Sequence, residues 1–149
     1  KQNIKLLIAG EFYEDKQPYL DIIEKRNLKE SVILHDKFIS NEDVRYYFCA
    51  SNLVAQTYRN ATNSGVTMVG YFYEKPMLVT NVGGLSEIVP NEKCGYVVGN
   101  FVPKISEKII DYFSQNKEPE FTANVIEEKK KYAWSTFIQG LFKLYQMVK

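Results

Sequence analysis

Residues 52–87 read NLVAQTYRNATNSGVTMVGYFYEKPMLVTNVGGLSE, and this stretch decides the fold. Asn52–Tyr58 is a strand, and Asn60-Ala61-Thr62-Asn63-Ser64-Gly65 is a polar turn. Val66, Met68, Val69, Phe72 and Tyr73 then predict a mostly buried helix that ends before Lys75-Pro76. Pro76 opens a second strand at Met77–Thr80, Asn81–Leu85 is a turn with two adjacent glycines, and Ser86-Glu87 can open a short helix. Strand, polar loop, helix and strand in that order require a right-handed crossover between parallel strands.

The same alternation extends in both directions. Upstream, Ile4–Ala9 is an apolar run closed by Gly10, the form of a strand buried on both faces. Pro18 suits a first helical turn, and Leu20, Ile22, Ile23 and Leu28 return at helical spacing. Ser31–His35 is a β-branched strand, and Ser40 or Asn41 can cap a helix carrying Val44, Tyr47 and Phe48. Downstream, Cys94–Gly99 is a fifth strand, and Lys104–Gln115 and Asn124–Met147 are closing helices joined across the polar break Asn116–Thr122. The predicted class is α/β, a Rossmann-like doubly wound parallel sheet forming a single domain over residues 1–149. Ligands of such sheets sit beyond the carboxyl ends of the strands. The candidate loops are therefore Gly10–Glu14, Asp36–Asn41, Tyr58–Val66 and Asn81–Glu87.

Composition narrows the function classes. The 149 residues are 45% hydrophobic and 25% charged, which suits a folded globular domain. Nineteen Lys and Arg face 18 Asp and Glu, so a net charge of +1 gives no field for a nucleic acid. No apolar run approaches the roughly 20 residues that cross a bilayer. Residue 1 is Lys, and Lys1-Gln2-Asn3 passes straight into the first strand without a leader pattern, as in a piece excised from a longer chain. Cys49 and Cys94 have no CxxC spacing and read as reduced thiols of a cytoplasmic protein. His35 has no partner at metal-ligand spacing and reads as structural, and no nucleophile elbow or hydrolytic triad is present. The aromatic clusters Tyr46-Tyr47-Phe48 and Tyr71-Phe72-Tyr73 read as packing within helices, and Glu127-Glu128-Lys129-Lys130-Lys131 as a solvated helical face.

Two loops carry the chemistry. Thr62 and Ser64 hydroxyls, the thin backbone at Gly65 and the unpaired N–H groups of the following helix suit the oxygens of a diphosphate. A helix start contributes only about 0.3–1 kcal/mol toward an exposed anion, and up to ~2 when partly buried, so other loops must help. Gly83-Gly84 permits close backbone approach, and Glu87 is a first-turn helix acid. Each feature alone is also what an ordinary capped helix or tight turn requires, and neither GxGxxG nor a P-loop is present.

Taken together, Tyr58 through Val66, Glu74-Lys75-Pro76 through Val89, and Gly95-Tyr96-Val97-Val98 resemble the C-terminal half of group 1 glycosyltransferases of the GT-B fold. Leu6–Gly10, Val32–Asn41 and Trp134–Phe137 fit its opening strand, second strand with its loop, and final helix, so the resemblance covers nearly the whole chain. It implies a nucleotide-diphosphate sugar held by this half as substrate, with no cofactor and no metal, and transfer that retains anomeric configuration. The acceptor, a saccharide or glycolipid, would bind the missing N-terminal half, and any peripheral contact with the inner membrane face would belong to the full-length protein. The donor-binding residues implied are Gly10, Phe38, Ser40, Arg59, Ala61, Thr62, Asn63, Ser64, Gly65, Val66, Gly83, Gly84 and Glu87, with no catalytic residue assigned. One departure stands out. Where many members place two glutamates eight positions apart, this chain has Ala61 and Val69. The change reads as a subfamily loop in which Asn63 and Ser64 supply the polar contacts; the alternative is a degenerate, non-catalytic nucleotide- or partner-binding domain of the same fold. Response-regulator-like and flavin-binding sheets are weaker fits, because Glu11, Glu14 and Asp15 do not continue into the acid and lysine pattern of the former.

Overall fold

The computed structural model describes residues 4–148. The reading made of Lys1-Gln2-Asn3 falls outside the described residues. The chain divides into two compact units, Lys1–Ser51 and Asn52–Lys149.

The first unit runs β1 (Leu6–Ala9), α1 (Gln17–Lys25), β2 (Val32–His35) and α2 (Asn41–Ala50). β1 and β2 pair in parallel, with Leu6 opposite Val32 and Ala9 opposite His35. Pro18 sits in the first turn of α1, where its missing N–H costs nothing. Of the two candidate caps for α2, Ser40 is the one used: the Asp43 N–H donates to Ser40 Oγ at 3.2 Å. β1 is not buried on both faces as its apolar run predicts, since Leu6 is 51% exposed. Burial on both faces needs elements over both, and an apolar run by itself cannot supply them.

The second unit runs β3 (Val54–Gln56), α3 (Gly65–Phe72), β4 (Met77–Thr80), α4 (Leu85–Ile88), β5 (Gly95–Val98), α5 (Val102–Ser114), α6 (Glu118–Glu128), a 3₁₀ turn at Lys129–Tyr132, and α7 (Trp134–Met147). Its parallel ladder has the order β3-β4-β5, so β4 is central and all four of its residues are buried. Strand side chains alternate faces. Met77 and Val79 accordingly join Tyr71, Leu85, Val89, Cys94 and Val125 in one cluster. Leu78 joins Tyr96, Val98, Tyr112 and Phe121 in another. In the second cluster the Tyr96 and Phe121 rings meet edge to face, with centroids 5.2 Å apart.

Three expectations are corrected here. On α3 the buried residues are Thr67, Gly70 and Tyr71, while Val66, Met68 and Phe72 are exposed. A helix that is apolar nearly all round carries no stripe to orient it; Gly70 lies on the buried face, where a Cβ would come within 2.8 Å of Met77 Sδ, so α3 lies close against β4 at that point. The closing helix starts at Glu118 rather than Asn124 and breaks at the 3₁₀ turn, because Pro119 opens a helix at its first turn. Glu128 lies within a run that reads as solvated, yet it is 4% exposed, and it accepts from Lys131 and, at 3.2 Å, from Lys93. Those two ammonium groups hold its carboxyl below the ordinary carboxylate range, with the Lys131 hydrogen bond the larger cause. α7 buries none of its residues; Trp134, Phe137, Leu141, Phe142 and Leu144 are all exposed.

Candidate functional site

In the second unit, the loop after β3 and the turn after β4 meet. The Gly84 N–H donates to the Thr62 carbonyl at 2.7 Å. The stem of the first loop is tied to the same strand, since the Thr80 hydroxyl donates to the Tyr58 carbonyl at 2.6 Å. Across the loop, Tyr58 OH and Ser64 Oγ lie 3.3 Å apart. The chain from Tyr58 to Ser64 is therefore fastened at its stem, across its ends and at its tip, and it delivers Gly65 as the first residue of α3.

Ser64 caps α3 without a side-chain hydrogen bond, and the Thr67 N–H donates to the Ser64 carbonyl at 3.2 Å. The start of an α-helix carries amides without intrahelical partners and the positive end of the helix dipole. Gly65 adds access, because a Cβ placed there would meet nothing within 4 Å. Beneath this turn, Thr67 Oγ1 donates to Gln56 Oε1 at 2.9 Å, both residues being buried, and Gln56 Nε2 finds no partner in the structure.

The residues singled out by sequence fall into distinct places. Thr62, Asn63 and Gly65 are exposed at the loop and helix start, and Val66 is 40% exposed on α3. Ser64 is half-buried with its hydroxyl against Tyr58. Ala61 packs against the apolar cluster around Val79 and Leu85. Gly83 and Gly84 form the turn that receives the loop, and Glu87 is exposed in the first turn of α4. Arg59 is exposed at the loop's beginning. Gly10, Phe38 and Ser40 belong to the first unit. There the Gly10 N–H donates to the His35 carbonyl at 3.1 Å, Phe38 is 73% exposed, and the Ser40 hydroxyl is spent on capping α2. Nearby, Lys16 Nζ and Asp36 Oδ2 pair at 2.7 Å, which lowers the Asp36 carboxyl pKa. His35 Nδ1 lies 3.0 Å from Tyr47 OH, in keeping with a structural histidine.

Sequence reading passed over Gln56, Thr67 and Thr80, the buried polar residues that hold this arrangement from behind. The available signal was a polar residue closing each of two apolar strands, Gln56 on β3 and Thr80 on β4. Among the described residues no group of His, Cys, Asp and Glu is placed to hold a metal ion, and no helix is long and apolar enough to cross a membrane.

The family described as glycosyl transferases group 1 matches residues 1–132. The chain belongs to that family. This group 1 glycosyltransferase domain is 28% identical over 147 residues to an uncharacterized glycosyltransferase of Methanocaldococcus jannaschii, covering 97% of the chain and 40% of that relative's length. Its fold matches sucrose-phosphate synthase from Thermosynechococcus elongatus with a TM-score of 0.77 at 16% identity, over 98% of this chain and 38% of the synthase. It also matches HepE of Anabaena, solved in complex with UDP, with a TM-score of 0.78 at 16% identity, over 97% of this chain and 41% of HepE. A glycosyltransferase from Rickettsia africae gives 0.77 at 15% identity, over 97% of this chain and 40% of that one. These likenesses establish the α/β fold with parallel strands shared by GT-B glycosyltransferases.

Proposed function

We propose that this domain is the donor-binding half of a glycosyltransferase, and that the Thr62–Val66 segment takes the diphosphate of a nucleotide sugar. The observation that carries this reading is the fastening of the Tyr58–Ser64 loop onto the Thr80–Gly84 segment, which presents the start of α3 with an unobstructed Gly65. The diphosphate oxygens accept from first-turn N–H groups, with Thr62 and Asn63 as flanking polar groups. HepE, of the same fold, holds UDP, which supports a nucleotide as the ligand class here. Transfer with retained configuration and without a metal, to an acceptor saccharide or glycolipid held by another part of a longer protein, completes the reading. A surface polysaccharide or glycolipid is the product class, made in the cytoplasm, at the inner membrane face when the acceptor is lipid-linked.

The test is a titration of the chain with UDP, GDP, ADP and TDP, followed by amide NMR. A helix start and two turns alone support a Kd in the roughly millimolar range, near −4 kcal/mol, and the amides of Thr62–Val66 should move. Shifts confined to other amides would remove the site. Gly65→Val sharpens the experiment: its added bulk meets no protein atom within the reach of a Cβ, so melting is preserved while the ligand is excluded.

A non-catalytic nucleotide-binding domain is the second reading, and one observation favours it. Ala61 is packed on the apolar core, so position 61 offers no polar group to a sugar. A longer protein that binds donors yet transfers from none of them would support this alternative.

A further inference from the structure

The two glycines after β4 invite a role as a smooth wall of the ligand site. Their surroundings say otherwise. A Cβ on Gly83 would lie 2.0 Å from the Ala61 carbonyl oxygen and 2.5 Å from that of Thr62. A Cβ on Gly84 would lie 2.4 Å from Asn63 Oδ1 and 3.3 Å from the Thr62 carbonyl oxygen. The space that the missing side chains leave is already filled, and it is filled by the loop of residues 61–63. Gly83 also holds φ at +52°, which a side chain would strain.

We infer that Gly83 and Gly84 are positioning residues: they form a seat on which the Ala61–Asn63 backbone rests, and they act on the ligand only through that loop. The Gly84 N–H to Thr62 carbonyl bond at 2.7 Å is the latch of this seat. Thr80, which donates to the Tyr58 carbonyl from the strand leading into the same turn, holds the other end of the loop. One continuous segment, Thr80 to Gly84, thereby fixes the height and register of the Tyr58–Ser64 loop and, with it, the start of α3. Asn63 is part of the seat, because its side-chain oxygen lies over Gly84. This inference rests on the donor-loop reading only for its consequence in ligand binding; the seat itself is a property of the free chain.

Amide hydrogen exchange tests the seat without any ligand. The amide at position 84 should be protected in the wild-type chain, and Gly84→Ala should speed its exchange roughly tenfold by opening the bond to Thr62, while buried amides of β4 stay protected. Asn63→Ala removes the nearer of the two atoms that the new methyl meets, so the Gly84→Ala/Asn63→Ala double variant should recover most of the slow exchange. If Gly84→Ala alone fails to fold, recovery of folding in the double variant carries the same conclusion, and failure to recover overturns it. An unchanged rate in Gly84→Ala, or a fast rate that Asn63→Ala leaves untouched, also overturns the seat. UDP affinity then separates positioning from lining. If the glycines act through the loop, Gly84→Ala weakens UDP binding in the presence of Asn63 and does so far less in the Asn63→Ala background; a wall residue would weaken binding equally in both backgrounds. Wild-type chain that ignores UDP would refute the donor reading for that nucleotide while the exchange measurements still decide the seat.

Discussion

β1 and β4 are both four-residue parallel strands of apolar character, Leu6-Leu7-Ile8-Ala9 and Met77-Leu78-Val79-Thr80, yet they meet opposite fates. Every residue of β4 is buried, whereas Leu6 is half exposed and none of β1 is fully buried. β4 is the middle of three strands, and its two faces feed two separate clusters, one with Tyr71 and Val125, the other with Tyr112 and Phe121. β1 has one strand partner in its unit, β2. The number of elements that cover a strand decides its burial, and the apolar run only makes burial permissible.

That contrast can be broken by mutation. The largest effect is expected at Gly95, whose φ of +151° and Cβ position, 1.7 Å from the Met77 carbonyl oxygen, leave no room beside β4. Gly95→Ala should cost more than about 4 kcal/mol in chemical denaturation, an exceptional value for one methyl group. A loss below about 1 kcal/mol would show that β4 is not the rigid centre described. Leu78→Ala should cost about 2–5 kcal/mol and Leu6→Ala under half as much. Equal costs would erase the difference between the strands.

Carboxylates of the two units extend the comparison to pH. Glu128 is buried between Lys131 and Lys93, and its pKa is lowered from 4.5 in the folded chain. A lowered folded-state value means that the ionised form favours folding. Its contribution is complete above the unfolded value and is lost as pH falls through the folded one. Stability should therefore decline on acidification below pH 4.5, and Glu128→Gln should lower stability at neutral pH while flattening that decline. Thermal melts at several pH values would show it, and an unaltered slope in the variant would remove Glu128 as the cause. Asp36 is also lowered, by Lys16, but both partners are substantially exposed and solvent screens the pair. Asp36→Asn is expected to leave melting within experimental scatter, the smallest effect of the series.

Sequence alone disclosed the alternation of elements and the strand positions, because Pro76, Gly65 and the Gly83-Gly84 pair punctuate the chain where regular structure must stop. The cap of α2 was legible to within two neighbours, Ser40 or Asn41, being a short-range bond, and the structure uses Ser40. The buried face of α3 was not. That face packs where Gly70 comes close to Met77, seven residues on in sequence, and a periodicity that is apolar on all sides does not reveal it. Glu128 was missed for a related reason: Lys93 lies 35 residues away, and only folding brings it near. In the candidate site the loops were legible as polar interruptions after strands. What joins them, Gly84 to Thr62 and Thr80 to Tyr58, spans 22 residues in each case and leaves no local pattern.

The exposed apolar surface of α7 carries a practical consequence. Trp134 is the sole tryptophan of the chain, stands at the first turn of that helix and is 78% exposed. Its indole therefore serves as a native optical probe: emission from the free chain is that of a water-bathed ring, and anything that covers the helix will shift it to the blue. Intrinsic fluorescence can follow the fate of α7 through purification, concentration and reassembly without a label.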